Sequence, residues 1–219
     1  SHVITGAGFG GVVCFNDKQN YERAKLLRGW GRSSAIFNES EGLKLRFNKK
    51  VDGIPYDGKY IFSELGYNFL PSEISAAFAL EQLKKLKNNV KTRIKNFEKL
   101  YRFFKKYSHL FDLPTQINGI KTGWLAYPII IKPSSKIKRQ AMQIFLEKKG
   151  IQTRTIFTGN IIRQPIMKNK TFKKVKQCSV NSDNIMKNGI LIGCHQGLKI
   201  KEIKYVFKCL EMFIKKFAN

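Results

Sequence analysis

The first thirteen residues hold the two features of this chain that could do chemistry, a histidine and a glycine cluster. His2 is one of three histidines, and an imidazole with a pKa of about 6.5 suits proton transfer at neutral pH. Gly6, Gly8 and Gly11 follow the G-x-G-x-x-G pattern, in which glycines and the start of a helix hold a pyrophosphate. Two hypotheses follow: a nucleotide-binding loop, or the edge of a cofactor site in which His2 does chemistry.

The residues after the glycine cluster test the first hypothesis. A nucleotide-binding loop needs a helix that begins within the glycines. Residues 12–15 instead form the β-branched and aromatic run VVCF, followed by the turn formers Asn16 and Asp17. The acidic residue expected about twenty positions further on is missing, because that region reads LLRGWGR. We therefore expect a hairpin-like turn with residues 12–15 as its second strand, and we disfavour dinucleotide binding.

A second candidate for chemistry is the stretch RGWGR at residues 28–32. Its two guanidinium groups and its indole, Arg28, Arg32 and Trp30, break the surrounding periodicity, and such loops often bind anionic ligands. The alternative is the end of a helix with basic side chains near its last carbonyl groups. The sequence leaves both interpretations open.

The charge of the chain is strongly positive, +26 from 41 basic and 15 acidic residues, which invites a nucleic-acid hypothesis. The lysines, however, are spread over the whole chain among many Ile, Phe and Asn residues. The sequence has no arginine-rich arm, zinc-finger spacing or RNA-binding aromatic signature. We therefore favour a solvated basic surface and expect no specific nucleic-acid partner.

Cysteine spacing and apolar runs limit the class of protein further. The four cysteines lie far apart and form no C-x-x-C pair, so we expect no metal or iron–sulfur site and a reduced, cytoplasmic protein. No apolar run reaches about eighteen residues, and no secretory signal is visible, so we expect no membrane segment. The missing initiator Met leads us to expect native residues upstream of Ser1.

The first half of the chain predicts two helices. Asp17 can cap a short helix that ends at Gly29, and residues 33–65 predict a long irregular stretch with glycine and proline punctuation. From Pro71 to about Tyr107, apolar residues recur at a three-four spacing. That pattern predicts one very long amphipathic helix, or two helices joined near residues 88–89.

The second half predicts a compact α/β domain. Apolar β-branched runs predict strands at residues 127–132, 152–156 and 189–193. Helical periodicity predicts helices at 136–149 and 200–217, the second with a continuous apolar face.

Four segments together resemble one known family. They are GYNFLPSEISAAFALEQLKKL, GIQTRTIFTGNIIRQP, RGWGR and GILIGCHQGL, and the resemblance covers essentially the whole chain. The family is DegT/DnrJ/EryC1/StrS, sugar-nucleotide enzymes that use pyridoxal or pyridoxamine 5'-phosphate. The second segment is most similar to the branch of 3-dehydratases that act on CDP- or GDP-4-keto-6-deoxyhexoses. The resemblance implies an α/β fold, the C-terminal part of a fold-type I transferase. Residues 1–107 would close the large cofactor-binding domain and supply the long helix, and 108–219 would form the small domain.

The resemblance gives His2 a catalytic role. In the aminotransferases of the family, a lysine just before the glycine-rich turn forms an imine with the cofactor, and in the dehydratase branch a histidine replaces it. By register, His2 stands at that position. An imidazole has no primary amine, so the cofactor would remain as free pyridoxamine phosphate. The implied reaction joins its amine to the 4-keto group of the sugar, uses His2 to remove a proton from the cofactor methylene, and expels the neighbouring hydroxyl.

The resemblance also implies binding residues. Asn68 matches an asparagine that reaches the cofactor phosphate from the partner subunit, which implies a homodimer with a shared active site. Contacts to the sugar nucleotide are expected from Trp30, Arg32, Arg154, Asn160 and Arg163. His195 is expected to pack or to cap. One dehydratase subgroup has cysteines of an iron–sulfur cluster just after the R-x-W-G-R loop, where this chain has SSAIFNESEG, so we expect no cluster.

The sequence therefore predicts a cytoplasmic enzyme, a pyridoxamine-phosphate-dependent 3-dehydratase of a nucleotide-linked 4-keto-6-deoxyhexose in surface-polysaccharide or deoxysugar biosynthesis. We expect this lyase site to be incomplete in the chain, because the other cofactor contacts of the family lie upstream of the catalytic position. The first alternative is a pyridoxal-phosphate-dependent aminotransferase of the same family. The second is an inactive fragment or a basic binding module.

Overall fold

A computed structural model describes residues 5–8, 10–37, 42–172 and 178–217 of the 219. His2, the predicted catalytic residue, lies outside the described residues. The chain divides into two compact units, whose described parts lie within residues 5–83 and 84–217. The predicted domain division at residues 107 and 108 stays a prediction.

Helix α1, Lys18–Arg28, opens the regular structure of the first unit as the sequence predicts. The Asp17 carboxylate accepts a hydrogen bond of 2.8 Å from the Asn20 amide, which satisfies one of the free donors at the helix start. The helix ends at Gly29, whose amide donates to the Leu26 carbonyl. The predicted cap and the predicted end of this helix are both confirmed.

The prediction of a strand at residues 12–15 is wrong. The predicted glycine turn is present at Ala7 and Gly8, which both have positive φ, but no strand follows it. Val12 and Val13 are 89% and 75% exposed. A β-branched run becomes a strand only when another strand pairs with it, and no described residue does so here.

The described residues between 33 and 65 are more regular than the sequence predicts. They contain helix α2, Leu43–Phe47, and an antiparallel hairpin of strands β1, Lys49–Val51, and β2, Ile54–Tyr56. Asp52 and Gly53 form the hairpin turn, and both have positive φ, as a two-residue turn of type I′ requires. Two short 3₁₀ turns, Ser33–Ile36 and Gly58–Tyr60, complete this stretch.

Helix α3 is a single helix of 33 residues, Glu73–Lys105, without a break at residues 88–89. Of the two predicted alternatives, one long helix is therefore confirmed, and two helices joined near residues 88–89 are not. Residues 73–83 of the helix belong to the first unit and 84–105 to the second. In the second unit, Leu100, Phe103 and Phe104 are buried, so the aromatic residues near the end of the helix belong to the core.

The second unit contains an antiparallel sheet with strand order β3–β4–β6–β5. Its strands are Phe111–Asp112, Tyr127–Ile131, Thr153–Arg154 and Gly189–Ile192, numbered β3 to β6 in chain order. Alternate residues of β4 (Tyr127, Ile129 and Ile131) are buried, as one packed sheet face requires. The sequence does not predict β3, and it predicts a longer β5 than the observed Thr153–Arg154.

Three helices of the second unit are α4, Arg139–Lys148, α5, Cys178–Asn188, and α6, Ile200–Phe217. Helices α3, α4 and α6 share one apolar core with the sheet, while α5 lies against β4 and β6. The sequence predicts α4 and α6 but misses α5. Two 3₁₀ turns, Ile161–Arg163 and Pro165–Met167, lie between β5 and α5.

Phe104 gives the sharpest test of this core. Its side chain is fully buried and contacts the rings of Phe103, Phe111 and Tyr127 at centroid distances of 5.3 to 5.4 Å. We expect Phe104→Ala to lower the free energy of unfolding by about 3–5 kcal/mol, because it leaves a cavity in a close-packed cluster. Urea denaturation followed by circular dichroism measures this loss. The exposed neighbour Lys105 supplies the control, since Lys105→Ala should change stability by less than about 0.5 kcal/mol; equal losses would contradict the described core.

Candidate functional site

Two loops of the first unit run side by side and carry three of the predicted site residues. Residues 27–33 and 61–69, called the paired loops below, are joined by backbone hydrogen bonds of 2.7 to 3.4 Å. The Tyr67 amide donates to the Leu27 carbonyl, and the Trp30 amide donates to the Tyr67 carbonyl. Bridges pair Gly29 with Asn68 and Arg32 with Phe62. Trp30, Arg32 and Asn68 are therefore brought together on one short backbone ladder.

Two glycines allow the paired loops to approach this closely. Gly31 has a φ of +76°, and a Cβ atom there would lie 1.8 Å from the Glu64 carbonyl oxygen. A Cβ atom on Gly66 would lie 2.1 Å from the Gly31 nitrogen. Trp30 also has a positive φ, 62°, which is uncommon for a bulky residue and marks local strain. The backbone geometry of the turn therefore requires glycine at positions 31 and 66, whereas Trp30 is held in a strained conformation.

The Arg32 guanidinium lies against the Trp30 ring, with its central carbon 4.4 Å from the ring centroid. This cation–π contact fixes the plane of the guanidinium. Its Nε–H is buried and has no hydrogen-bond partner among the described residues. A buried donor without a partner costs free energy, which an acceptor ligand would recover.

Arg32 lines a small cationic cavity of about 150 Å³. Its walls are Lys25, Arg28, Gly29, Arg32, Ser34, Ala35, Lys59 and Leu70. Four of these described residues are basic and none is acidic, so the cavity suits a phosphate or another anion. The alternative interpretation, basic residues at a helix end, accounts for Lys25 and Arg28 in the last turn of α1, but not for the unpaired donor of Arg32.

Asn68 lies beside this cavity, because its backbone pairs with Gly29 of the cavity wall. The residue is exposed. Its carboxamide makes no hydrogen bond to the residues that the structure describes. An exposed amide group can donate to a phosphate oxygen. The predicted role of Asn68 stays a prediction.

In the second unit, Arg154 lines a larger cavity of about 700 Å³ at the β5 edge of the sheet. Arg154 pairs with Leu191 of β6, and its guanidinium donates to the Thr153 carbonyl at 2.7 Å. The cavity wall is mostly apolar, with polar groups from His195, Glu202 and Tyr205. Such a lining is typical of sites that bind organic ligands.

The other two predicted residues of this unit bind a partner within the chain. Asn160 and Arg163 both donate to the carboxylate of Asp183 on α5. The hydrogen bonds from Arg163, and to a smaller extent the bond from Asn160, lower the pKa of Asp183 to about 2. Their predicted contacts with substrate stay a prediction, and the structure adds a structural role. Sequence reasoning missed Asp183, because nothing in the sequence links it to residues twenty positions away.

His195 follows β6 and takes part in a local turn. Its Nδ1 accepts a hydrogen bond of 3.2 Å from the Gly197 amide, three residues before α6 begins, and the predicted packing or capping role stays a prediction. Its carbonyl accepts a hydrogen bond from Asn96, and the neighbouring Gln196 accepts a bond of 2.7 Å from the buried Arg93.

Arg93 also donates to the carbonyl groups of Trp124 and Leu125, and its burial lowers its pKa. Arg93 thus fixes the loop that presents His195 to the larger cavity.

In the described part of the chain, no cluster of three or more His, Cys, Asp or Glu residues could hold a metal ion. No helix there is long and apolar enough to cross a membrane. Cys194 and Cys209 are buried as small apolar residues, whereas Cys14 is exposed.

Comparison with solved structures defines the class of protein. The GDP-4-keto-6-deoxy-D-mannose-3-dehydratase of E. coli, solved with bound hydrated PLP, superposes with a TM-score of 0.71 at 27% identity. The match covers 89% of this chain and 48% of that chain. This chain therefore has the architecture of the C-terminal part of a fold-type I, PLP-dependent transferase, which confirms the predicted fold.

The chain belongs to the DegT/DnrJ/EryC1/StrS aminotransferase family, whose model matches residues 1–211. It is 31% identical over 216 residues to the lipopolysaccharide biosynthesis protein RfbH of Salmonella typhimurium, covering 97% of this chain and 49% of that protein. It is 30% identical over 217 residues to the GDP-4-keto-6-deoxy-D-mannose 3-dehydratase of Yersinia pseudotuberculosis, covering 96% and 51%. The chain thus spans about half the length of the curated relatives it matches. The predicted family is confirmed.

The paired loops predict a large effect of a single methyl group. Gly31→Ala adds a left-handed strain of about 1–2 kcal/mol and also forces the two backbones apart. Gly53 in the hairpin turn is the matched control, because it has a similar φ of +82° but open space around its Cα. We expect Gly53→Ala to cost only the strain and Gly31→Ala to cost clearly more, as measured by thermal denaturation. Equal costs would show that the backbones do not meet at Gly31.

Proposed function

We propose that the full-length protein is a pyridoxamine-phosphate-dependent 3-dehydratase of a nucleotide-linked 4-keto-6-deoxyhexose, working in the cytoplasm in surface-polysaccharide or deoxysugar biosynthesis. Membership of the family and the likeness to two GDP-4-keto-6-deoxy-D-mannose 3-dehydratases support the reaction class. The likeness to a lipopolysaccharide biosynthesis protein supports the role in polysaccharide biosynthesis. The observation in the structure that carries the proposal is the cationic cavity with the unpaired Nε–H of Arg32.

The diphosphate of a sugar nucleotide fits the chemistry of this cavity. It carries two adjacent anionic groups with many acceptor oxygens, and guanidinium groups bind such oxygens through parallel N–H donors. Arg32 offers a guanidinium whose plane is already fixed by the Trp30 ring, so little conformational entropy is lost on binding. Lys25, Arg28 and Lys59 add positive charge around it. We propose that Trp30 and Arg32 bind this part of the substrate.

A cofactor phosphate is compatible with the donors next to this cavity. Asn68 offers an exposed amide beside the cationic wall, and we propose that it holds the cofactor phosphate of the partner subunit. When bound, the cofactor would supply an amine and a ring that accepts electrons. His2, outside the described residues, would move the proton, because its imidazole can donate and accept at neutral pH. Arg154, Asn160 and Arg163 remain the proposed contacts to the sugar nucleotide.

A homodimer is part of the proposal. The first unit exposes large apolar side chains close together in sequence, among them Leu65 at 96%, Ile74 at 82% and Phe69 at 67%. Tyr67 and Phe69 stack on each other at 4.9 Å and leave both rings largely open to solvent. Exposed apolar groups of this size are typical of protein interfaces. They support a partner that covers this surface, which we propose to be a second copy of the protein.

The class of reaction can be tested directly on the full-length protein. Treatment with pyridoxal phosphate and borohydride should leave no stable adduct on the wild-type protein, whereas His2→Lys should gain one, because only a primary amine forms a reducible imine. In a single turnover, a nucleotide 4-keto-6-deoxyhexose should lose its 3-hydroxyl oxygen, as measured by mass spectrometry. One equivalent of pyridoxamine phosphate should be consumed. A borohydride-stable adduct on the wild-type protein would favour the aminotransferase instead.

The diphosphate site predicts a loss of affinity for nucleoside diphosphates. Arg32→Ala should weaken the binding of CDP or GDP by about 1.5–3 kcal/mol, the range for hydrogen bonds to a charged group. This corresponds to about a tenfold to hundredfold increase in Kd. Arg32→Lys should recover part of the charge but not the paired donors.

Isothermal titration calorimetry measures these affinities in the full-length protein. Lys18→Ala is the matched control, because Lys18 is a basic residue on α1 that lies outside the cavity and whose side chain is 85% exposed. If Arg32→Ala bound nucleoside diphosphates as well as the control does, the diphosphate site would be rejected. Strong, salt-dependent retention on nucleic acid without binding of cofactor would instead favour the basic binding module.

A further inference from the structure

One carboxylate on α5 gathers two side chains of the segment that follows β5. Asp183 accepts a hydrogen bond of 2.7 Å from the Asn160 amide group. It also accepts two bonds from the Arg163 guanidinium, one on each carboxylate oxygen, each of 2.5 Å. This is a bidentate ion pair with a third donor, an arrangement that is stronger and more directional than a single surface ion pair.

The segment held in this way is compact. The Asn160 side chain is almost fully buried, and its carbonyl oxygen accepts a bond of 3.1 Å from the Ile162 amide. Gly159, with a φ of +65°, lies directly on α5, because a Cβ atom there would be 2.5 Å from Met186 Cβ. Residues 155–164, called the β5–α5 loop below, therefore contact α5 at Met186 and at Asp183.

The same loop forms part of the wall of the larger cavity. Thr155 and Phe157 line that cavity together with Arg154 at the end of β5. Phe157 has a φ of 46° and is held there in part by Thr155, whose hydroxyl donates to its carbonyl at 3.1 Å. Asp183 itself does not line the cavity. Any effect of Asp183 on a ligand in the cavity must therefore pass through the loop.

We propose that Asp183 is a positioning residue. It fixes the β5–α5 loop on α5 through Asn160 and Arg163, and in this way it sets the position of Thr155 and Phe157 in the wall of the larger cavity, beside Arg154, a proposed contact to the sugar nucleotide. The part of this inference that concerns the substrate rests on the proposed function, whereas the order of the loop does not.

The ion pair is partly exposed, since the Asp183 side chain is 30% and the Arg163 side chain 61% accessible. Its contribution to global stability is therefore small, and its main effect should be local. Arg163 and Asn160 lower the pKa of Asp183 to about 2, below the ordinary value of about 3.9. Such a group stabilises the folded state above its ordinary pKa and loses this effect as the pH falls towards 2. The pair is thus fully charged at neutral pH.

The test compares Asp183→Asn with Lys187→Ala in the full-length protein. Asp183→Asn removes the charge and turns one acceptor into a donor, whereas Lys187 is an exposed residue on the same helix. Hydrogen exchange of the backbone amides in residues 155–164 should become about fivefold faster in Asp183→Asn, with the melting temperature almost unchanged. Lys187→Ala should leave this exchange as in the wild type.

Swapping the two charges of the ion pair distinguishes the effect of the ion pair on the loop from any effect of the substitutions on the folding of α5. Asp183→Arg and Arg163→Asp should each speed the exchange of the loop, and the double variant should restore much of the protection. In turnover assays, Asp183→Asn should raise KM for the nucleotide sugar about fivefold and leave kcat within a factor of about two.

Each outcome decides the inference. Unchanged exchange in residues 155–164, or faster exchange with an unchanged KM, would overturn it. If the wild-type protein turned over no nucleotide 4-keto sugar, the proposed function would fail, and the exchange measurement would still decide whether Asp183 orders the loop.

Discussion

The close approach of two backbones at Gly31 and Gly66 is the constraint on which the first unit depends. Because a Cβ atom at either position would meet backbone atoms of the other loop within about 2 Å, no side chain can separate the paired loops. The ladder that results fixes Trp30 and Arg32 on one loop and Asn68 on the other. The positions of the proposed phosphate-binding side chains thus follow from main-chain geometry.

The fold could be predicted from the sequence where a periodic pattern was long. Helix α3 was predicted nearly to its ends because apolar residues recur over nine turns, and α6 was predicted with its observed bounds. Helix α5 was missed, because its sequence CSVNSDNIMKN has little apolar periodicity and the helix depends on its contacts with β4 and β6. The β1–β2 hairpin did carry a local signal, Asp52-Gly53, but its strands of three residues are too short to show alternation.

The candidate site was predictable only in part. Arg32 and Trp30 stand in one short motif, so their chemistry was visible in the sequence. Lys59 follows the β1–β2 hairpin in the sequence, and only the tertiary structure brings it into the cavity wall that contains Arg32. Asn160 and Arg163 were recognised as polar residues of a conspicuous segment, but their partner Asp183 was not. A sequence shows which side chains can bind, and packing decides whether they bind a ligand, each other, or both.

The positive φ of Trp30 reduces the stability of the folded protein. Trp30 and Gly31 both have positive φ, and glycine would adopt this conformation at either position without strain. A tryptophan there costs about 1–2 kcal/mol, so the more stable chain would have glycine at both positions. That chain would lose the ring on which the Arg32 guanidinium lies. The turn therefore trades folding stability for a preorganised cation, and selection for thermal stability alone would remove the indole first.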